Sequence, residues 1–160
     1  MKQLILVRHA TAEPEQFPQK DFDRALSDSG LLEARHLGGY MREKGSVPDH
    51  IAFSPALRTN QTAVILRDSL GVGSVPFTAV PSLYNAGFPF LMQYLQNFPD
   101  DFSSLLLVAH NPGISQLATV LSSLHPYQFS TAAGLCLQFD VSGWNKIQSG
   151  TAKEIWYFTS

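Results

Sequence analysis

Short unbroken apolar runs, each followed by a stretch of helical periodicity, restrict this chain to folds in which helices cover both faces of a sheet. The firmest run is Ser104-Leu105-Leu106-Leu107-Val108-Ala109; Leu4 to Val7 and Ile51 to Phe53 are shorter examples, and a weaker strand is expected near residues 75–80. A strand with one wet face alternates polar and apolar residues, and these do not. Between the runs, Ser27 is a good N-cap for a helix reaching about Lys44, with Leu31, Ala34, Leu37 and Met41 at helical spacing and Gly45 as the stop. Ser54-Pro55 offers a cap and a first-turn proline for a helix over about residues 56–70. Leu91, Tyr94, Leu95 and Phe98 mark a short third helix. Asn111 as cap and Pro112 as first residue open a fourth, with Ile114, Leu117, Ala118, Leu121 and Leu124 as its apolar stripe. Two last strands are expected over about 134–140 and 153–159, joined by a turn around Ser142-Gly143-Trp144-Asn145. The expectation is an α/β fold: a three-layer α/β/α sandwich with a mostly parallel central sheet and an antiparallel edge.

Length and charge narrow the possibilities further. At 160 residues the chain suits one domain, 1–160, able to bury a large core, and no repeat, linker or low-complexity tract divides it. Eleven basic against thirteen acidic residues give a net charge of -2, so nucleic acid and anionic membrane are not expected partners. No stretch approaches the ~20 apolar residues of a membrane span. The first residues read as a buried strand rather than a signal peptide, because the apolar run ends at Arg8-His9. Cys136 is the lone cysteine, expected as a small core residue; the expected compartment is the cytoplasm.

Chemistry is expected at the carboxyl ends of the strands, where open α/β sheets bind ligands and helix N-termini hold anions. Arg8-His9 ends the first strand, Ser54-Pro55 leads to Arg58 after the second, and His110 ends the apolar fourth. Singly, each residue has an ordinary structural reading. Together they bring two imidazoles and two guanidiniums to one edge of one sheet in a chain of negative net charge, and like charges gathered there without nearby carboxylates are costly unless an anion belongs between them. Phosphate fits, since the arginine fork matches its oxygens, while one neutral histidine attacks phosphorus and the other stabilises charge. Zinc on His9 and His110 would lack a third ligand and be repelled by the arginines, so no metal and no cofactor is expected.

These motifs resemble the histidine phosphatase superfamily, with its phosphoglycerate mutase-like fold: Arg8-His9, then Ser54-Pro55-Ala56-Leu57-Arg58, then Ala109-His110-Asn111-Pro112. The short chain, with Asp23-Arg24-Ala25-Leu26-Ser27, Leu83-Tyr84-Asn85-Ala86 and Phe129-Ser130-Thr131-Ala132-Ala133, is similar to the small phosphohistidine phosphatases of the SixA type. The resemblance implies that His9 is the phosphorylated nucleophile and that Arg8, Arg58 and His110 bind the phosphoryl group. Arg24 is implied as an additional phosphate ligand, and Thr11, Asn111 and Ser82 complete the expected substrate-binding set. Ala10 stands where much of the superfamily has glycine. Ser82 stands where many members carry a glutamate that protonates an alcohol leaving group. A phosphorylated imidazole carries its own proton, so this departure points to phosphohistidine on a protein; Glu13, Glu15, Asp21 and Asp23 are the alternative acids.

Two other functions compete. A small-metabolite phosphatase or mutase would use the same chemistry, with Phe17, Phe22, Tyr84, Phe88 and Phe90 walling a pocket, although the chain has little spare length for a lid. A phosphate-binding module without turnover is the rival from another class.

Overall fold

The computed structural model describes residues Met1–Ser160. Its elements run β1 (Lys2–Arg8), α1 (Asp28–Glu43), β2 (His50–Phe53), α2 (Leu57–Leu70), β3 (Phe77–Ala79), α3 (Phe88–Gln96), β4 (Ser104–Ala109), α4 (Gly113–Ser122), β5 (Gly134–Phe139) and β6 (Lys153–Phe158). The six strands form one sheet in the order β3-β2-β4-β1-β5-β6. The first four in that order are parallel, while β5 runs antiparallel to β1 and β6 antiparallel to β5. This is the expected sandwich with its antiparallel edge.

Alternation along the buried strands divides the core in two. Leu4 and Leu6 of β1 pack with Leu105 and Leu107 of β4 beneath α3 and α4, against Leu91, Leu95, Ile114 and Leu117. Ile5 and Val7 face the other way, with Leu106, Val108 and Cys136, beneath Leu37 and Met41 of α1 and Ala63 and Leu66 of α2. The continuous apolar runs therefore serve two layers at once, which is why none alternates with polar residues.

Local details correct the expected boundaries. Ser27 caps α1 as expected, its hydroxyl accepting from the Gly30 amide. Ser54 does not cap α2, which begins at Leu57 after Ala56 and leaves the serine hydroxyl for another partner. Asn111 does not cap α4: the helix begins at Gly113, and the asparagine side chain is engaged with residues 115 and 129. Glycine is required at 113, because a Cβ there would lie 2.1 Å from the Ala86 carbonyl oxygen. The α4 stripe stops at Leu121; Ser123 takes a left-handed conformation, φ 53°, and Leu124 beyond it is exposed.

Candidate active site

The parallel strands β1, β2 and β4 all end on the same edge of the sheet. Arg8 pairs with Ala109 and Phe53 with Val108, so the residues that follow, His9, Ser54 and His110, emerge side by side. His9 continues the ladder through its amide, which donates to the Ala109 carbonyl at 3.2 Å. The two imidazole centroids lie 5.3 Å apart. Both residues are buried, at 8% and 4% exposure, so their charged forms are disfavoured.

Arg58, in the first turn of α2, joins the pair. Its Nε donates to His9 Nε2 at 3.3 Å, and its Nη2 lies 3.4 Å from His110 Nδ1. The His9 Nδ1–H donates to the Ala10 carbonyl at 2.8 Å, which assigns the proton to Nδ1 and leaves the Nε2 lone pair facing the guanidinium. By the same reasoning His110 accepts at Nδ1 and donates from Nε2 to Ser54 Oγ at 2.7 Å. Thr62, one turn further along α2, accepts from the Ala10 amide at 3.1 Å and donates to the Arg58 carbonyl at 2.7 Å.

Arg8 is anchored on the loop before β5. Its Nη1 donates to the Phe129 carbonyl at 3.0 Å, while its buried Nε has no hydrogen-bond partner. Burial, then the nearby Arg58 charge, lowers the Arg8 pKa. The Asn111 amide donates to the same Phe129 carbonyl and accepts from Ser115 Oγ, so Asn111 supports the loop that positions Arg8.

The remaining expected residues are placed differently. Thr11 has its hydroxyl on the Glu33 carboxylate and on Thr131, outside the histidine array. Ser82 is exposed on a single 3-10 turn, Pro81–Leu83, and joins none of the hydrogen bonds around the histidines. Arg24 points its Nε and Nη2 at Asp21 Oδ1, at 3.0 and 2.8 Å.

Asp21 corrects the expectation that an external anion alone balances the arginines. Its other oxygen, Oδ2, accepts from Arg58 Nη2 at 3.1 Å and from the Tyr84 hydroxyl at 2.7 Å, and its backbone carbonyl accepts from Arg58 Nη1 at 2.8 Å. The Tyr84 hydrogen bond, with those of Arg24 and Arg58, holds its carboxyl down at about 2 against the opposing effect of burial. The segment carrying it returns over the site, closed at its base by the Ala12–Leu26 bridge. Among the acids weighed from the sequence, Asp21 reaches the arginines, and it does so ionised.

Burial is the largest cause of depressed basicity in both imidazoles, assisted at His9 by Arg58 and at His110 by His9 and Arg58. The result is a pKa of about 4 for His9 and about 3 for His110. In the unfolded chain both titrate near 6.5. The sign follows: above that value both states are neutral, and below it the unfolded chain takes up protons that the fold refuses. Thermal melting should therefore show stability falling from about pH 6.5 toward pH 4, by at most about 1.4 kcal/mol per pH unit for each histidine. His110→Gln should flatten the slope; an unchanged slope would mean that His110 is charged in the fold.

A family model for the histidine phosphatase superfamily, branch 1, matches residues 4–91, which include Arg8, His9 and Arg58. The chain belongs to this superfamily. As a histidine phosphatase it shares 30% identity over 138 residues with an uncharacterized protein of Mycobacterium tuberculosis, covering 86% of this chain and 83% of that protein. Two solved structures share the fold closely. One, assigned to the phosphohistidine phosphatase SixA of Agrobacterium tumefaciens, superposes with a TM-score of 0.85 at 21% identity over 99% of this chain and 98% of that one. The other, the protein histidine phosphatase SixA complexed with tungstate, gives 0.82 at 23% identity, over 98% and 96% of the two chains. No helix is long and apolar enough to cross a membrane.

Proposed function

We propose that this histidine phosphatase removes phosphoryl groups from phosphohistidine on proteins, through a phosphorylated intermediate on His9. The observation that carries the reading is the state of the proton inventory. His9 Nε2 has a free lone pair, whereas the carboxylate within reach, Asp21, is ionised and bound by two arginines and a tyrosine. The site thus suits a leaving group that brings its own proton.

In the first step His9 Nε2 bonds to phosphorus as the phosphorus–nitrogen bond of the substrate breaks. The departing imidazole leaves neutral because it is already protonated on its ring. In the second step water attacks phosphorus, the bond to His9 breaks, and inorganic phosphate forms. Arg8 and Arg58 hold the phosphoryl oxygens, and positive charge comes from them rather than from a metal ion. An arriving dianion favours protonation of His110, which then donates to the phosphoryl oxygens. The SixA structures of nearly the same length, two of them described as phosphohistidine or protein histidine phosphatases, support a protein substrate.

Turnover of a phosphohistidine peptide and a phosphoserine peptide of the same sequence tests the reading. Phosphate release should be faster from phosphohistidine. Faster hydrolysis of the ester would reject the substrate and place a proton donor at the site.

A further inference from the structure

Asp21 holds donors that Arg58 and Arg24 would turn toward a phosphoryl group. Its carboxylate bridges Arg58 Nη2 at 3.1 Å and Arg24 Nη2 at 2.8 Å, and Tyr84 adds a third donor at 2.7 Å. Two oxygens thereby answer two of the three arginines. The third, Arg8, keeps a buried Nε with no partner. A phosphoryl group has one oxygen more than a carboxylate and can meet that remaining donor.

We propose that Asp21 is a built-in competitor of the substrate phosphoryl group, holding Arg58 and Arg24 until phosphoryl oxygens take those donors from it. The assignment rests on the reading that these arginines bind the phosphoryl group. Its placement suits exchange. None of the residues in the 3-10 turn Asp21–Asp23 is buried, whereas the base of the segment is secured separately, by Glu13 N to the Ala25 carbonyl at 2.8 Å and Leu26 N to Gln61 Oε1 at 2.7 Å. The carboxylate can release the arginines without disturbing that base. The cost of release is limited, because the carboxylate is about one third exposed, at 35%, and its ion pairs are screened by water. The competing reading makes Asp21 a positioning residue that aims Arg58 at the histidines, and the two predict opposite signs.

The measurement is the calorimetric Kd for inorganic phosphate at fixed ionic strength, on the wild type, Asp21→Asn, Tyr84→Phe and Arg58→Ala, with a melting curve for each. Asparagine keeps the shape and an acceptor for Tyr84 while removing the charge. Asp21→Asn should bind phosphate up to about fivefold more tightly, the scale of one partly exposed ion pair. Tyr84→Phe, which removes one hold on the carboxylate, should shift the same way by less. Unchanged or weaker binding by a folded Asp21→Asn, or weaker binding by Tyr84→Phe, overturns the competitor. If Arg58→Ala loses phosphate while Asp21→Asn gains nothing, the competitor alone fails. Phosphate binding that survives Arg58→Ala undiminished, or is absent from all four proteins, overturns the phosphoryl site as well.

Discussion

Alanine in place of His9 is expected to slow hydrolysis of an aryl phosphate by roughly 10,000-fold or more, the scale on which loss of a covalent nucleophile is felt. The substitution removes the Nε2 lone pair that faces Arg58, and leaves Arg8, Arg58 and His110 in place. Turnover and binding should therefore separate, with kcat collapsing while inorganic phosphate still binds. An aryl phosphate is the right probe because its leaving group departs without help from an acid. Activity retained in His9→Ala would put the nucleophile elsewhere, and a wild type that binds phosphate without turnover would make the protein a binding module.

Lysine at position 58 is expected to lower kcat/KM by about 100- to 1000-fold, comparable to losing a transition-state donor. Arg58 does several things at once with a planar fork: Nε meets His9, Nη2 meets His110 and Asp21, and Nη1 meets the Asp21 carbonyl. An ammonium keeps the charge but is a point, and it meets one of these partners at a time. Aryl phosphate kinetics alongside a melting curve check this. A loss below about tenfold with an intact fold would mean that charge alone, without the fork's geometry, is what position 58 contributes.

The layers and the sheet were legible in the sequence because hydrophobic runs report burial directly. Leu4 to Val7 and Leu105 to Val108 each send side chains to two cores, and continuous apolar sequence is the signature of that arrangement. The convergence of His9, Arg58 and His110 was legible as well, since parallel strands bring their carboxyl ends together. Polar side chains were read less well where local rules and distant partners compete. Ser54 has the form of a helix cap, yet its hydroxyl goes to His110; Asn111 has the same form and supports Phe129 instead. Asp21 was visible only as one acid among several in a polar stretch. Its partners lie 37 and 63 residues away, beyond the reach of any local pattern, and Arg24 three residues on was the single nearby hint. Thr62 carried no signal at all, being one more threonine on a helix.

Ser54, Arg58 and Thr62 fall four residues apart, and each touches a strand end: Ser54 the end of β4 through His110, Thr62 the end of β1 through Ala10, Arg58 both. A residue inserted or deleted between Arg58 and Thr62 would turn one against the other by about 100° around α2, so that the two could not keep their attachments together. The exposed tip of the early segment, where Phe17 is fully exposed, has no such linkage and can change length freely. Evolution of this protein is therefore free to remodel the early segment and is held to a fixed chain length between Arg58 and Thr62.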